Sequence, residues 1–230
     1  MRILVTRPEA DGAALARRLE ALGHQPLLAP LLTVQPLPCP PLDLSDVQAV
    51  LATSANGVRA LAANQPIRDL PLFVVGPQSE AAARDMGFQH VQSANGDAAA
   101  LAALVALSIQ PAAGTLLHVA GEEADTALTD MLKARGFSVR RKNLYRVEAA
   151  VQLPQAAAAA LRDSTVDAAL FFSPRSARIF TACVARDALK VEKLIAVCIS
   201  ANSAQALSGL ALAQLRVAAR PNQDSLLACL

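Results

Sequence analysis

Short apolar runs alternate along the whole chain with longer, alanine-rich segments in which polar residues recur. The runs have the length of strands, and the longer segments have the length and spacing of helices. Predicted strands cover residues 3–6, 25–32, 49–53, 72–75, 89–92, 115–119, 138–147, 168–172, 194–199 and 216–218. Predicted helices cover residues 10–22, 56–63, 78–86, 97–107, 123–135, 154–162, 174–185, 203–208 and 223–228. Strand followed by helix, repeated, predicts an α/β fold with parallel sheets and right-handed crossovers.

Glycines mark several of the predicted helix ends. Gly23, Gly87, Gly136 and Gly209 each lie where a glycine commonly ends a helix.

The chain also resembles itself in three places. Residues 5–11 resemble 119–125, residues 49–58 resemble 168–177, and residues 74–79 resemble 198–203. The offsets are 114, 119 and 124 residues, which indicates two copies of one domain with small insertions. The alternative is that alanine-rich strand–helix units look alike without any duplication.

The order of the strands indicates an inserted domain. Only two predicted strands precede the proline-dense stretch 36–41, which suits a linker better than a strand or helix interior. We predict two similar domains, each a parallel, flavodoxin-like sheet of five strands with helices on both faces, joined by a two-stranded antiparallel linker. Residues 1–35 plus 148–230 form the first domain and residues 38–145 the second, with linkers at about 31–41 and 144–150. A cleft between two such domains is a frequent place for a ligand.

Composition narrows the class of protein. Hydrophobic residues make up 53% of the chain but aromatic residues only 3%, which suits parallel strands under alanine-rich helices. The longest apolar run, residues 98–107, is about half of a membrane-spanning helix. The net charge of +2 offers no general attraction to nucleic acid. We therefore expect a cytoplasmic protein that binds neither membrane nor nucleic acid, and a monomer.

The candidate chemistry lies where strands end and helices begin. Ligands of open parallel sheets bind at the carboxyl ends of the strands, where the first-turn amides of a helix attract anions. These ends supply Thr6 and Arg7; Thr53, Ser54 and Asn56; Gly76 and Ser79; Gly121; Ser173, Arg175 and Ser176; Ser200 and Ser203. Plain helix capping explains each serine singly, but six such ends favour a ligand with several negative charges.

The motifs of common cofactor and metal enzymes are missing. The chain has no glycine-rich dinucleotide or phosphate loop, no nucleophile elbow and no zinc-protease helix motif. Its four cysteines form no CxxC pair, which argues against a zinc site or a redox motif. Core or surface roles are favoured for His24, His90 and His118, which have no partners for a catalytic triad.

Tyr145 is the only tyrosine of the chain, in the text LYRVE on the returning linker strand. A phenol can exchange a proton with an oxygen leaving group, so Tyr145 is the candidate catalytic residue. The alternative is a ring that only packs.

Taken together, these motifs resemble the uroporphyrinogen-III synthase family. The resemblance runs the length of the chain in the order VTRPE (5–9), TSANGV (53–58), VGPQSEAA (75–82), GF (87–88), GDAAAL (96–101), AGEEA (120–124), LYRVE (144–148), FFSPRSA (171–177), CISANSAQAL (198–207) and ARPNQDSLL (219–227). Each motif is short, and the specificity lies in their order and spacing.

The resemblance implies a reaction and a site. The substrate would be hydroxymethylbilane, a linear tetrapyrrole with carboxylate side chains, and it would be handed over by hydroxymethylbilane synthase. Loss of water would give an azafulvene cation, and closure through a spiro intermediate would invert the last ring to yield uroporphyrinogen III. The resemblance implies that no metal and no organic cofactor takes part. The tyrosine of the family matches Tyr145, and the hydroxyls of Thr6, Ser54, Ser79, Ser173 and Ser203 would bind carboxylates.

Two other functions stay open on the sequence alone. One is a two-domain, non-catalytic binding protein for an anionic metabolite. The other is a sugar-nucleotide transferase, which also has paired α/β domains but needs a nucleotide site.

Overall fold

The computed structural model describes residues 1–230 and has an α/β fold. Its strands are β1 Arg2–Val5, β2 Gln25–Leu28, β3 Leu32–Pro36, β4 Val47–Ala52, β5 Leu72–Val74, β6 Val91–Ser93, β7 Thr115–Gly121, β8 Ser138–Ala149, β9 Ala168–Phe171, β10 Ile195–Cys198 and β11 Gln214–Val217. Its α-helices are α1 Glu9–Ala21, α2 Ala55–Asn64, α3 Pro77–Asp85, α4 Ala98–Ser108, α5 Ala127–Lys133, α6 Gln155–Arg162, α7 Pro174–Arg186, α8 Ala201–Gln205 and α9 Gln223–Leu227. None of the helices is long and apolar enough to span a membrane.

One predicted strand is two strands in the structure. The prediction of a single strand over 25–32 was wrong, because β2 ends at Leu28 and β3 begins at Leu32. Pro30 has no N–H to donate to a neighbouring strand, and it lies between them.

Two predictions about helix ends were also wrong. Helix α5 begins at Ala127 rather than 123, because the preceding residues form a turn in which the Asp125 carboxylate accepts a hydrogen bond from the Ala127 N–H at 3.1 Å. Gly209 does not end a helix with a left-handed residue, since α8 stops at Gln205 and the glycines with positive φ are Gly23, Gly87, Gly114 and Gly136.

The chain forms two compact units. Unit 1 contains Met1–Thr33 and Glu148–Leu230, and unit 2 contains Val34–Val147. The sheet of unit 1 has the order β11-β10-β9-β1-β2, and every neighbouring pair in it is parallel.

The sheet of unit 2 has six strands in the order β3-β8-β7-β4-β5-β6. Five of them, β8 to β6 in that order, are parallel. The expected five-stranded sheet gains β3 as an edge strand, because this outgoing segment lies beside β8 instead of standing apart from the sheet. The Leu37 N–H donates to the Leu144 C=O, and the Ala150 N–H donates to the Leu31 C=O, each at 2.9 Å.

Each sheet is covered by apolar side chains on both faces. In unit 1, Leu4 and Phe171 belong to one buried cluster while Ile3 and Leu170 belong to another. Successive residues of a strand point to opposite faces, so this alternation means that helices cover both sides.

Candidate active site

The candidate site of unit 2 lies where β4, β7 and β8 approach the start of α2. The hydroxyl oxygens of Tyr145 and Ser54 are 2.8 Å apart. Tyr145 is on β8 and only 7% exposed, and Ser54 directly precedes α2. Two predicted site residues that are 91 positions apart in the sequence are therefore hydrogen-bonded to each other.

Gly121 makes room for the phenol ring. Pairing between β7 and β8 shifts by one residue, from Ala120 opposite Asn143 to Gly121 opposite Tyr145. A Cβ atom on Gly121 would lie 2.9 Å from two ring carbons of Tyr145, closer than real side chains approach. The role of Gly121 is therefore to leave space, and the irregular pairing aims the ring at Ser54.

Ser54 is the N-cap of α2. Its Oγ accepts a hydrogen bond from the Gly57 N–H at 3.1 Å, so capping and contact with Tyr145 fall on the same oxygen. The first turn of α2 has no acidic residue, which leaves the positive end of its dipole without an internal counter-charge. Thr53 and Asn56 flank the cap, and the Asn56 side chain accepts from Arg59 at 3.0 Å.

A second predicted strand end of unit 2 lies between β5 and α3. Gly76 is its N-cap residue and has no side chain to cap with, and the Gly76 C=O accepts from the Ser79 N–H at 3.0 Å. Ser79 is buried, and the first turn contains Glu80, which pairs with Arg84 at 2.8 Å. This helix start is less suited to an anion than that of α2.

Unit 1 has two serine pairs at the ends of neighbouring strands. Ser173 caps α7 by accepting from the Ser176 N–H at 3.1 Å, and the two hydroxyl oxygens are 2.9 Å apart. Ser200 caps α8 in the same way through Ser203, with hydroxyl oxygens 3.1 Å apart. Neither helix has an acidic residue in its first turn, and Arg175 lies in the first turn of α7.

The structure corrects the predicted role of three hydroxyls. Thr6 is 1% exposed and donates to the Leu170 C=O at 2.6 Å, because β9 lies beside β1. Ser203 is 0% exposed, and Ser176 is also buried. These side chains support neighbouring groups and do not face outward to meet a carboxylate.

Arg7 is held within unit 1. Its guanidinium pairs with Asp11 at 2.9 Å, donates to Gln223 at 3.3 Å and lies 4.5 Å from the centre of the Phe172 ring. It is therefore a fixed cation beside the strand ends.

His118 is the histidine that the fold buries. His118 is 1% exposed, with its Nδ1 3.1 Å from the Thr129 hydroxyl. Burial, helped by the nearby Arg141, lowers the pKa of His118 from 6.5 to about 4. No group of three or more histidine, cysteine or carboxylate side chains lies close enough together to hold a metal ion.

Comparison with known proteins gives the family. The model of the family described as uroporphyrinogen-III synthase HemD matches residues 13–228. The chain belongs to this family. It is accordingly a lyase that cyclises hydroxymethylbilane in tetrapyrrole biosynthesis, and the resemblance seen in the sequence is confirmed. Family membership also decides against the binding-protein and sugar-nucleotide transferase alternatives.

Solved structures of the same family share the fold. Uroporphyrinogen-III synthetase from Helicobacter pylori is 18% identical with a TM-score of 0.66, covering 100% of this chain and 98% of that one. A mutant uroporphyrinogen III synthase from Thermus thermophilus is 19% identical with a TM-score of 0.51, covering 100% and 96%. A comparison with curated protein sequences gave no match.

Sequence reasoning missed one contributor and one role. Gly57 was not singled out, yet its amide holds the Ser54 oxygen. Gly121 was predicted as a site residue for its place at a strand end, and the structure adds that its lack of a side chain makes room for the phenol ring. The signal for Gly57 is the spacing from the capping serine, since a cap accepts from the amide two or three residues on.

Proposed function

We propose that this chain releases water from hydroxymethylbilane and closes it to uroporphyrinogen III with inversion of the last ring, and that Tyr145 assists departure of the hydroxyl. The single observation that carries this proposal is the 2.8 Å contact between Tyr145 Oη and Ser54 Oγ at the carboxyl end of the sheet. The reaction is that of the family, and the contact between the two hydroxyl groups supports Tyr145 as the acid.

The hydroxyl pair suits a leaving-group acid. Hydroxide leaves poorly, so a proton donated to the departing oxygen lowers the barrier. Either oxygen of the pair can be the donor, and the Ser54 hydroxyl is free to rotate. When the Tyr145 proton moves to the leaving oxygen, Ser54 can turn its own O–H toward Tyr145 and stabilise the negative charge that develops there. The Gly57 N–H holds Ser54 in place meanwhile.

We assign carboxylate binding chiefly to helix starts without a first-turn acid. These are the starts of α2, with Thr53, Ser54 and Asn56, and of α7 and α8, with Ser173, Arg175 and Ser200. First-turn amides and the positive end of the helix dipole attract carboxylates there. Gly76 and Ser79 at α3 are a weaker site because the Ser79 N–H already donates to the Gly76 C=O, while Thr6, Ser176 and Ser203 hold the loops that present the other groups.

We also propose that units 1 and 2 are duplicated, flavodoxin-like domains. Numbered within unit 1, its strand order is 2-1-3-4-5, which is the flavodoxin order. The five parallel strands of unit 2 give the same order when counting starts at β7, continues through β8 and then returns to β4, β5 and β6. The self-resemblance of the sequence pairs the same strands, β7 with β1, β4 with β9 and β5 with β10. The monomeric state, the cytoplasmic location and the supply of substrate by hydroxymethylbilane synthase remain predictions.

The test of the catalytic role is Tyr145→Phe, which keeps the ring against Gly121 and removes only the hydroxyl. We expect kcat to fall about 10²- to 10⁴-fold, the range for loss of a general acid, while KM changes far less. The product is oxidised and the uroporphyrin isomers are resolved, since free hydroxymethylbilane closes spontaneously to the uninverted isomer. A folded variant with unchanged kcat would remove Tyr145 from the mechanism.

A further inference from the structure

Arg141 spans the loop beside the phenol. It lies on β8 opposite His118 of β7, four residues before Tyr145. Its guanidinium donates to three carbonyl groups at and just beyond the end of β7: Nη2 to Gly121 at 3.3 Å and Ala124 at 2.5 Å, and Nη1 to Asp125 at 3.2 Å. One side chain thus holds both ends of the turn formed by residues 121–125.

The same turn is tied to Tyr145. The Ala124 N–H closes the turn on the Gly121 C=O at 3.1 Å, and the Glu122 N–H donates to the Tyr145 C=O at 2.9 Å. The backbone of the turn and the backbone of Tyr145 are therefore fixed to each other. Any movement of the turn would therefore shift the part of β8 that carries the phenol.

Gly121 lies directly against the Tyr145 ring, so the position of the turn limits the position of the ring. There is no space for even one carbon atom between Gly121 Cα and the Tyr145 ring, because a Cβ there would lie 2.9 Å from ring atoms and 3.1 Å from the hydroxyl oxygen. A backbone wall at this distance limits how far the ring can rotate or tilt. The ring in turn carries Oη to its 2.8 Å contact with Ser54.

We propose that Arg141 is a positioning residue for Tyr145: its guanidinium fixes the carbonyl groups of the 121–125 turn, and the turn fixes the phenol against Ser54. The effect on the ring depends on these contacts alone. The effect on turnover additionally rests on the proposed role of Tyr145.

The chemistry of arginine fits this task. Its planar fork presents donors in fixed directions and can reach several carbonyl oxygens at once, whereas the lysine ammonium is a point charge on a flexible stem. The paired residue His118 is buried and holds Thr129 at 3.1 Å. Because burial keeps the pKa of His118 at about 4, no second positive charge opposes the guanidinium at neutral pH.

The experiment compares Arg141→Gln and Arg141→Lys with Arg140→Gln. Arg140 is the neighbouring residue on β8, points to the opposite face and also holds a loop, donating to the Asp43 C=O at 2.6 Å and the Asp46 carboxylate at 2.9 Å. The chain has one tyrosine and no tryptophan, so its tyrosine fluorescence reports Tyr145 alone. Emission, quenching by acrylamide, kcat and KM are measured for each variant.

We expect Arg141→Gln to change the emission and increase quenching at Tyr145, and to lower kcat about tenfold with a smaller effect on KM, because sub-ångström misplacement of a catalytic group is costly. Arg140→Gln should leave all four quantities near those of the parent protein. Arg141→Lys should lie between, and it carries the test if Arg141→Gln does not fold.

The readouts separate the two proposals. Changed fluorescence with unchanged kcat would support the positioning of Tyr145 by Arg141 and refute the catalytic role of Tyr145. Folded Arg141 variants whose emission and quenching match those of the parent protein would overturn the positioning role.

Discussion

Gly121→Ala tests the geometry of the candidate site most directly, because it adds one carbon atom at the wall of the phenol ring. The new Cβ would lie 2.9 Å from Cε2 and Cζ of Tyr145. Reaching an ordinary carbon–carbon contact of about 3.5 Å requires the ring to move by about 0.6 Å. Gly121 is not among the glycines with positive φ, so the alanine backbone is unstrained and the effect is steric.

The size of the effect follows from that shift. If the ring moves away from Ser54, the 2.8 Å contact lengthens to about 3.4 Å, beyond the range of a good O–H···O bond. Loss of the bond and misplacement of the phenol should lower kcat about 10- to 100-fold, with a much smaller change in KM. Overpacking costs about 1–3 kcal/mol of folding free energy, offset by about 0.4–1 kcal/mol because alanine restricts the unfolded chain.

The assay combines isomer-resolved product analysis, urea unfolding and fluorescence of Tyr145. The matched control is Gly209→Ala, since a Cβ there has no heavy atom within 4 Å. In a Tyr145→Ala background the added methyl has room, so Gly121→Ala should then cost almost no stability. Two results would refute the argument that the absence of a side chain at Gly121 makes room for the ring. One is an equal loss of stability in both backgrounds, and the other is a Gly121→Ala variant with the kcat of the parent protein.

Two further predictions concern neighbouring groups. Ser54→Ala should lose about 1 kcal/mol of stability because the cap of α2 disappears, and kcat should fall about tenfold because Tyr145 loses its partner. Asp97→Ala removes an equivalent cap at α4 and should lower stability only. Equal kcat values in the two variants would contradict this prediction. His118 has its folded pKa near 4, below the usual 6.5, so protonation favours the unfolded chain, and stability should fall by roughly 3 kcal/mol as the pH drops from 6.5 to 4. Urea unfolding at several pH values should show a flatter profile for His118→Asn than for a variant of the exposed His90, and identical profiles would contradict the burial argument.

Buried parallel strands were predictable because their signal is local. The run predicted at 194–199 is β10 at Ile195–Cys198, in which the three residues Ala196–Cys198 are buried and apolar. The start of α5 was not predictable, because Glu122 and Glu123 look like first-turn acids. The turn that replaces the first helical residues is held by Asp125 and also by Arg141, which lies 16 to 20 positions further along the chain than the carbonyl groups it bonds.

For the candidate site, too, local features were predictable and features that depend on distant residues were not. The rule that parallel strands end at one edge of a sheet brought Ser54 into the predicted set, while Tyr145 was chosen as the only tyrosine of the chain, on the returning linker strand. It could not show that Thr6 turns inward, because the acceptor of its hydroxyl, the Leu170 C=O, is 164 residues away. It also could not show the space at Gly121, which depends on a shifted pairing between β7 and β8.

The proposed duplication explains why only one unit carries the phenol. In the paired sequences Ser54 corresponds to Ser173, but Gly121 corresponds to Arg7. Arg7 fills its own strand end by stacking at 4.5 Å from the Phe172 ring, where unit 2 leaves room for an aromatic ring from β8. The counterpart of β8 in unit 1 is β2, which ends at Leu28 shortly before Pro30 and brings no phenol to this position. On the proposed duplication, both units present similar serine-capped helices, while the glycine and the longer strand of unit 2 give that unit alone the phenol that we propose as the acid.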